Sequence, residues 1–439
     1  MQFDIAVGMR EDLLNRMAKE VHPQLHPVLF NKTINLPDLL LRVTFDVPEA
    51  PVFDLIPLTQ NQVRVIGEAA RARAPERFTG VTADVLEALI HEVPTVSVKF
   101  RKIEVTMVST LDNHETKLVF GATAFCRAGI DLEHARITLK VMHIDVANMT
   151  NEQIVFIIDH VVTPKIQELL DQYLGSLPVP PLNLGSVPLS TPLVVIKDSR
   201  IIALANVLPK GTPAFPTMSD WPDSEMFSLV SPDGLNAAAT LALNLANPHF
   251  AGSETQSIDI KLAKFKAKWR YDVTLYDPKV TVDSPISLSL ENRIRAGIHL
   301  EMDTLFGDPS VDLSVTIKVE PHLRATLDAA MDQNHRLILG VKQVEPFRLE
   351  VSIDQLPDWA KPATKWITGT VTGALTEAIL RVLNPFLSQI RIPVYTIPEM
   401  EITAGPVHLY LVPARVSIYP LNGMLAMKGS FDVRVPADV

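Results

Sequence analysis

A single cysteine, Cys126, stands among 439 residues. No intramolecular disulfide can form, and the chain fits a reducing compartment or bacterial secretion without disulfides. Aromatic residues are scarce, 6% beside 47% hydrophobic residues in all, so the interior must be built mainly from aliphatic side chains. Positive charge is in deficit as well. A formal net charge of -10 argues against nucleic acid as a partner, because phosphates call for a basic footprint. Long hydrophobic runs are missing too. Even the stretch from Val371 to Leu387 is cut by Glu377, Arg381 and Pro385, so no helix is expected to span a bilayer. The opening Met1-Gln2-Phe3-Asp4 lacks the positive start and apolar core of a secretory signal. These absences point to a soluble protein, cytoplasmic or exported by a signal-less route.

Catalytic signatures are also missing. The sequence contains no nucleophile elbow, phosphate-binding loop, zinc spacing or dinucleotide fingerprint. Gly369 to Gly373 falls inside a predicted helix, without the strand-turn context that a nucleophile elbow needs. Asp145, Asp159 and His160 flank another predicted helix and read as a surface group. His22 and His26 lie four apart, but Pro23 and Pro27 spoil the geometry and no third ligand joins them. No enzyme, no cofactor and no metal are expected.

What is present is aliphatic periodicity, arranged twice. A chain of this length suits two domains. Leu13, Leu14, Met17, Ala18, Val21 and Leu25 predict an amphipathic helix from about Arg10. Alternation follows at Leu41 to Val47, at Val96, Val98 and Phe100, and after a phase shift at Ile103, Val105 and Met107. It continues through Leu118 to Cys126 and Ile137 to Val146, the pattern of antiparallel strands with one apolar face. Helical segments between Thr59 and Val93 read as a surface insertion. A capping box at Thr150 to Gln153 then opens a long helix, with Ile154, Ile158, Val161 and Leu169 in its apolar rows. Pro164 is expected to kink it and Gly175 to end it. An extended exit, Leu177-Pro178-Val179-Pro180-Pro181-Leu182, leads to the strand Leu193 to Ile196.

The second half replays the order. Ser231-Pro232-Asp233 predicts a capped helix start, followed by Leu235, Ala238, Ala239, Leu241, Ala242 and Leu245. Strands are expected from Ile258 to Ile353. A second long helix runs from about Ala360 to Ile390, with Ile367, Val371, Leu375 and Ile379 on its apolar side, and exits through Ile392-Pro393 into closing strands. The repeat is at domain scale, longer than any solenoid unit.

Three stretches carry a family resemblance: Phe227-Ser228-Leu229-Val230-Ser231 before a helix, the long helix ending in Leu177-Pro178-Val179-Pro180, and Ile392-Pro393 followed by strands to Gly429-Ser430-Phe431-Asp432-Val433. In that order the chain resembles the tubular lipid-binding (TULIP) superfamily. The two-domain plan is that of the bactericidal permeability-increasing and lipopolysaccharide-binding proteins. Without signal or disulfide, the chain is closer to the clostridial forty-seven-kilodalton neurotoxin-cluster proteins, which favours a bacterial origin. The resemblance implies an α+β fold of two tandem TULIP-like domains, each a highly curved antiparallel sheet around a long helix, joined through a central sheet. It places the first domain at 1–190, central strands and linker at 191–215, the second domain at 216–392 and returning C-terminal strands at 393–439.

Helix and sheet can either pack tightly or leave an aliphatic groove; periodicity alone favours packing, and the resemblance favours a lipid-holding groove. Groove candidates are Ile154, Ile158, Val161 and Leu169 in the first domain and Ile367, Val371, Leu375 and Ile379 in the second. Lys264, Lys266, Lys268 and Arg270 alternate with apolar residues, so a strand would set four cations on one face. They are read as an ordinary solvated or edge-guarding face, with contact to an anionic membrane surface as the sharper alternative. The functional expectation is non-enzymatic binding or transfer of a lipid or fatty-acyl ligand. The competing readings are an accessory protein binding other products of a toxin or secretion locus through collapsed grooves, and a membrane-active toxin.

Overall fold

The computed structural model describes residues 2–26, 30–37, 40–131, 136–146, 163–174, 182–218, 220–260, 263–303, 307–319, 322–346, 349–353, 356–397, 399–404 and 407–434. The fold class is α+β, with two curled antiparallel sheets and a third sheet between them. The Thr150 capping box, the Gly175 stop and the residues Asp159 and His160 fall outside the described residues.

The first curled sheet runs in the order Asn31–Leu36, Leu41–Asp46, Thr95–Ser109, Glu115–Asp131 and Arg136–Val146, with Val52–Asp54 beside Thr95–Ser109. The expected phase shift is a β-bulge between Phe100 and Ile103. One extra residue there lets Val96, Val98 and Phe100 share the buried face with Ile103, Val105 and Met107. The helix Glu11–Leu25 buries Leu13, Leu14, Met17, Val21 and Leu25. In the insertion, Gln60–Arg73 starts from a Thr59/Gln62 capping box and Ala83–Glu92 from Thr82. They bury Val63, Ile66, Leu86 and Ile90 against Phe125 as a small separate core.

The second curled sheet is larger. His249–Ile260, Ala263–Thr281, Ser287–Asp303, His322–Met331, Arg336–Val344 and Arg391–Thr396 follow one another, while Ser310–Val319 branches from Ser287–Asp303 and carries Leu349–Ile353. Inside it lies the helix Thr372–Gln389, entered through a π turn at Ile367–Val371. Ile367, Val371, Leu375 and Ile379 are spaced by four, and on a regular helix such a row drifts by about 40° per step. The wider turn takes up part of that drift, and all four side chains are fully buried.

The central sheet gathers distant parts of the chain: Met400–Ala404, Val407–Leu421, Met424–Arg434, Met226–Val230, Ile5–Arg10, Arg200–Ala205 and Leu193–Lys197, in that order. Its middle strands have a core on each side. Val7 and Met9 belong to the large one, and Ala6, Phe227 and Leu229 to a smaller one with Phe3 and Trp221. Burial on both faces explains why these strands read as apolar runs without alternation. Gly8 is required for this packing, since a Cβ there would lie 2.3 Å from the Phe227 ring.

Asp4 ties the sheet to the second domain. Its buried carboxylate accepts from Val207 N at 2.9 Å, Lys210 Nζ at 2.9 Å and Ser231 Oγ at 3.1 Å. Ser231 Oγ also accepts from Gly234 N at 3.1 Å, giving the expected N-cap of Pro232–Leu245. Burial opposes the Lys210 charge, but Asp233 and Asp4 outweigh it and raise its pKa. The Arg391–Thr396 strand closes the second sheet rather than the central one. Asn183 finishes its free edge, donating to Thr396 O at 3.1 Å and accepting from Thr396 N at 3.0 Å. No helix among the described residues is long and apolar enough to cross a membrane.

Candidate functional site

Two apolar cavities lie where the curled domains meet neighbouring elements. The larger, about 330 Å³, is walled by Leu184 and Val187, by Leu241, Ala242 and Leu245 of Pro232–Leu245, and by Ile390. Its polar members are Ser186, Gln389 and Arg391. Arg391 Nη1 donates to Ser388 O at 2.8 Å and Ile390 O at 3.0 Å, which fixes an exposed cation on the cavity wall. Leu245 is 78% exposed. The second cavity, about 260 Å³, lies between Ile90 and Val93, the prolines Pro57 and Pro94, the edge strand residues Leu193 to Ile196, and Phe215. Phe215 is 61% exposed. Small-molecule sites begin at about 300 Å³ and are mostly apolar with few polar groups, which the first cavity matches better.

The helix Pro232–Leu245 builds the larger cavity because its apolar arc is too wide for one core. Leu235, Ala238, Ala239 and Leu243 are buried and Ala242 packs against the same core, while Leu241 and Leu245 remain on a second side. The sequence did carry this signal, in apolar residues spread over more than the usual stripe.

Of the groove candidates, Ile367, Val371, Leu375 and Ile379 are placed together in the main core and line neither cavity. Ile154, Ile158 and Val161 fall outside the described residues, as does the side chain of Leu169; within the same helix, Thr163–Leu174, Ile166 and Leu170 are fully buried. Lys264, Lys266, Lys268 and Arg270 are all exposed on one face of Ala263–Thr281.

Among the described residues that line the two cavities, Thr95, Ser186, Gln389 and Arg391 carry the polar side chains. His22 Nε2 donates to Val47 O at 2.9 Å, and burial lowers the pKa of its ring. His26 Nε2 meets Asp46 at 2.7 Å. The pair is thus satisfied within the fold, and among the described residues no three His, Cys, Asp or Glu side chains converge as metal ligands. Buried polar atoms without a partner occur elsewhere, at Trp269 Nε1 and the Tyr395 hydroxyl. Burial pushes the Tyr395 pKa up.

Two curled antiparallel sheets with a third sheet between them define an α+β protein of two curled-sheet domains. No family model and no curated protein matches the chain. Among solved structures it is similar to a lipopolysaccharide binding protein, with 12% identity over 99% of this chain and 100% of that one, at a TM-score of 0.34. It is also similar to P47 of Clostridium botulinum E1, with 10% identity over 98% of this chain and 99% of that one, at a TM-score of 0.42. P47 from Clostridium botulinum A2 gives 10% identity, 98% and 97% coverage and a TM-score of 0.38. Such distant likeness concerns the overall layout and says nothing about what this chain binds.

Proposed function

We propose that the protein binds a lipid or another elongated hydrophobic ligand, without chemistry on it, and carries that ligand between surfaces. The observation behind this reading is the cavity of about 330 Å³ walled by Leu184, Val187, Leu241, Ala242, Leu245 and Ile390. Each methylene taken from water gains roughly 0.8 kcal/mol, so a short length of acyl chain suffices for several kcal/mol. Arg391 offers a cation to a carboxylate or phosphate at the ligand's polar end.

Lipid extraction from protein purified out of cells, followed by mass spectrometry, tests the proposal. Wild type should release near-stoichiometric lipid. Leu241→Trp should release far less while its unfolding midpoint stays close to wild type, because the indole extends into the cavity that Leu241 lines. Wild type that releases no lipid would sink the carrier reading and favour a protein partner on the exposed Leu245 face.

A further inference from the structure

Tertiary structure divides the basic stripe in two. Lys264 stands between Asp259 and Asp303 on the neighbouring strands, and Lys266 lies opposite Glu301 at 3.9 Å. There, three carboxylates surround two lysines. Further along, Arg270 stands between Ser253 and Gly297, and the next outward positions on Ser287–Asp303 are Arg295 and Arg293. Asp272, opposite Arg295 on the adjoining strand, is hydrogen-bonded to His249 at 2.9 Å. Among the described residues Arg270, Arg293 and Arg295 enter no salt bridge.

The surface around Arg270 is low as well as positive. Ala251, Ser253 and Gly297 leave a depression of about 520 Å³, bordered by Arg270 and Arg295 with the Asp272 carboxylate beside them. A Cβ built on Gly297 would meet nothing within 4 Å. Outward residues two apart on a strand are separated by roughly 7 Å, so the arginines span roughly 14 Å, more than one phosphate can cover. Guanidinium groups bind phosphate oxygens through paired hydrogen bonds. The three arginines and Lys268 outnumber Asp272 and Glu291, the carboxylates at neighbouring strand positions, so the face is left net positive.

We infer that this arginine face docks the protein on an anionic phospholipid bilayer, with a headgroup phosphate in the depression between Arg270 and Arg295. The inference rests on the lipid-carrier reading, since a carrier must meet a membrane to load and unload. Lys268, in the row beside Arg270, extends the contact, whereas Lys264 and Lys266 stay outside it.

Flotation of the full chain with phosphatidylcholine vesicles, with and without phosphatidylserine, tests this. Wild type should float with the phosphatidylserine vesicles at low salt and be released as salt screens the contact. Changing Arg270, Arg293 and Arg295 to Gln should weaken binding about fivefold each and about a hundredfold together. Lys264→Gln with Lys266→Gln should change it by less than about twofold, the two lysines being bracketed by carboxylates. Gly297→Glu, which sets a carboxylate into open space beside Arg270, should mimic the arginine loss with an unchanged unfolding midpoint. Flotation that survives the triple arginine change overturns the inference. So does equal loss from the lysine pair, or full competition by millimolar inorganic phosphate, which would make the depression a small-anion site. Lipid extraction on the same proteins separates the two proposals. Arginine-dependent flotation without co-purified lipid leaves the docking face standing and removes the carrier; co-purified lipid with arginine-independent flotation does the reverse.

Discussion

Glu104 and Arg270 both sit mid-strand on the outer side of a curled sheet, and their surroundings are opposite. Glu104 meets Lys102 at 2.6 Å and Lys117 at 2.5 Å. Hydrogen bonds from Lys102 and then Lys117 hold its carboxyl down to about 2. Arg270 has Ser253 and Gly297 as cross-strand neighbours instead. A charge locked between two partners helps hold its own strands in register and offers little to another molecule. A charge left beside a serine and a glycine is open to whatever arrives.

The sharpest way to test this contrast is to compare outer faces with inner ones. Leu375→Ala or Ile379→Ala in the second domain, and Ile166→Ala or Leu170→Ala in the first, should each cost about 2–5 kcal/mol in urea unfolding, since all four side chains are fully buried. Substitutions of Arg270, Arg293 or Arg295 should cost less than about 1 kcal/mol, as exposed charges do. Arginine variants as unstable as the core variants would make those arginines structural and erase the contrast.

A smaller effect should come from turning the first face into the second. Glu104→Gln strips Lys102 and Lys117 of their shared partner, and flotation with phosphatidylserine vesicles should strengthen by severalfold, at about fivefold per freed cation. No gain would mean that geometry, beyond free charge, makes the arginine face. Removing the cations of the first face, by changing Lys99, Lys102 and Lys117 to Gln, should leave wild-type flotation unchanged, because each already meets a carboxylate.

The smallest expected effect is in acid. The folded pKa of Glu104, about 2, lies below the value of about 4.3 for an unfolded glutamate. Its contribution to stability is therefore complete above the unfolded value and is lost as pH falls through the folded one. Carboxyl chemical shifts should show a Glu104 midpoint near the lower figure. A midpoint near the unfolded value would mean that the lysine contacts do not persist in solution.

Much of the architecture is legible residue by residue. Alternation marks the strand Thr95–Ser109, and its phase shift even locates the bulge between Phe100 and Ile103. Ser231 announces the capped helix Pro232–Leu245, and spacing by four gathers Ile367, Val371, Leu375 and Ile379 on one buried row. The π turn beneath that row is not legible, because the same residues suit a regular helix until a core demands that they stay aligned. The wide apolar arc of Pro232–Leu245 is legible, but not what closes over it, because Leu184 and Ile390 are joined to Leu241 by no local pattern.

What the sequence determined by itself is which side of each element turns inward, because a period of two or of 3.6 is a property of consecutive residues. What only the tertiary structure decided is who stands beside whom. In the sequence Lys264, Lys266, Lys268 and Arg270 are four equal members of one stripe. Their difference comes from Asp259, Glu301, Asp303 and Gly297 on the adjoining strands, and register across a sheet is set by non-local pairing. A lone strand shows which way its charges point, and its neighbours decide whether those charges are already spent.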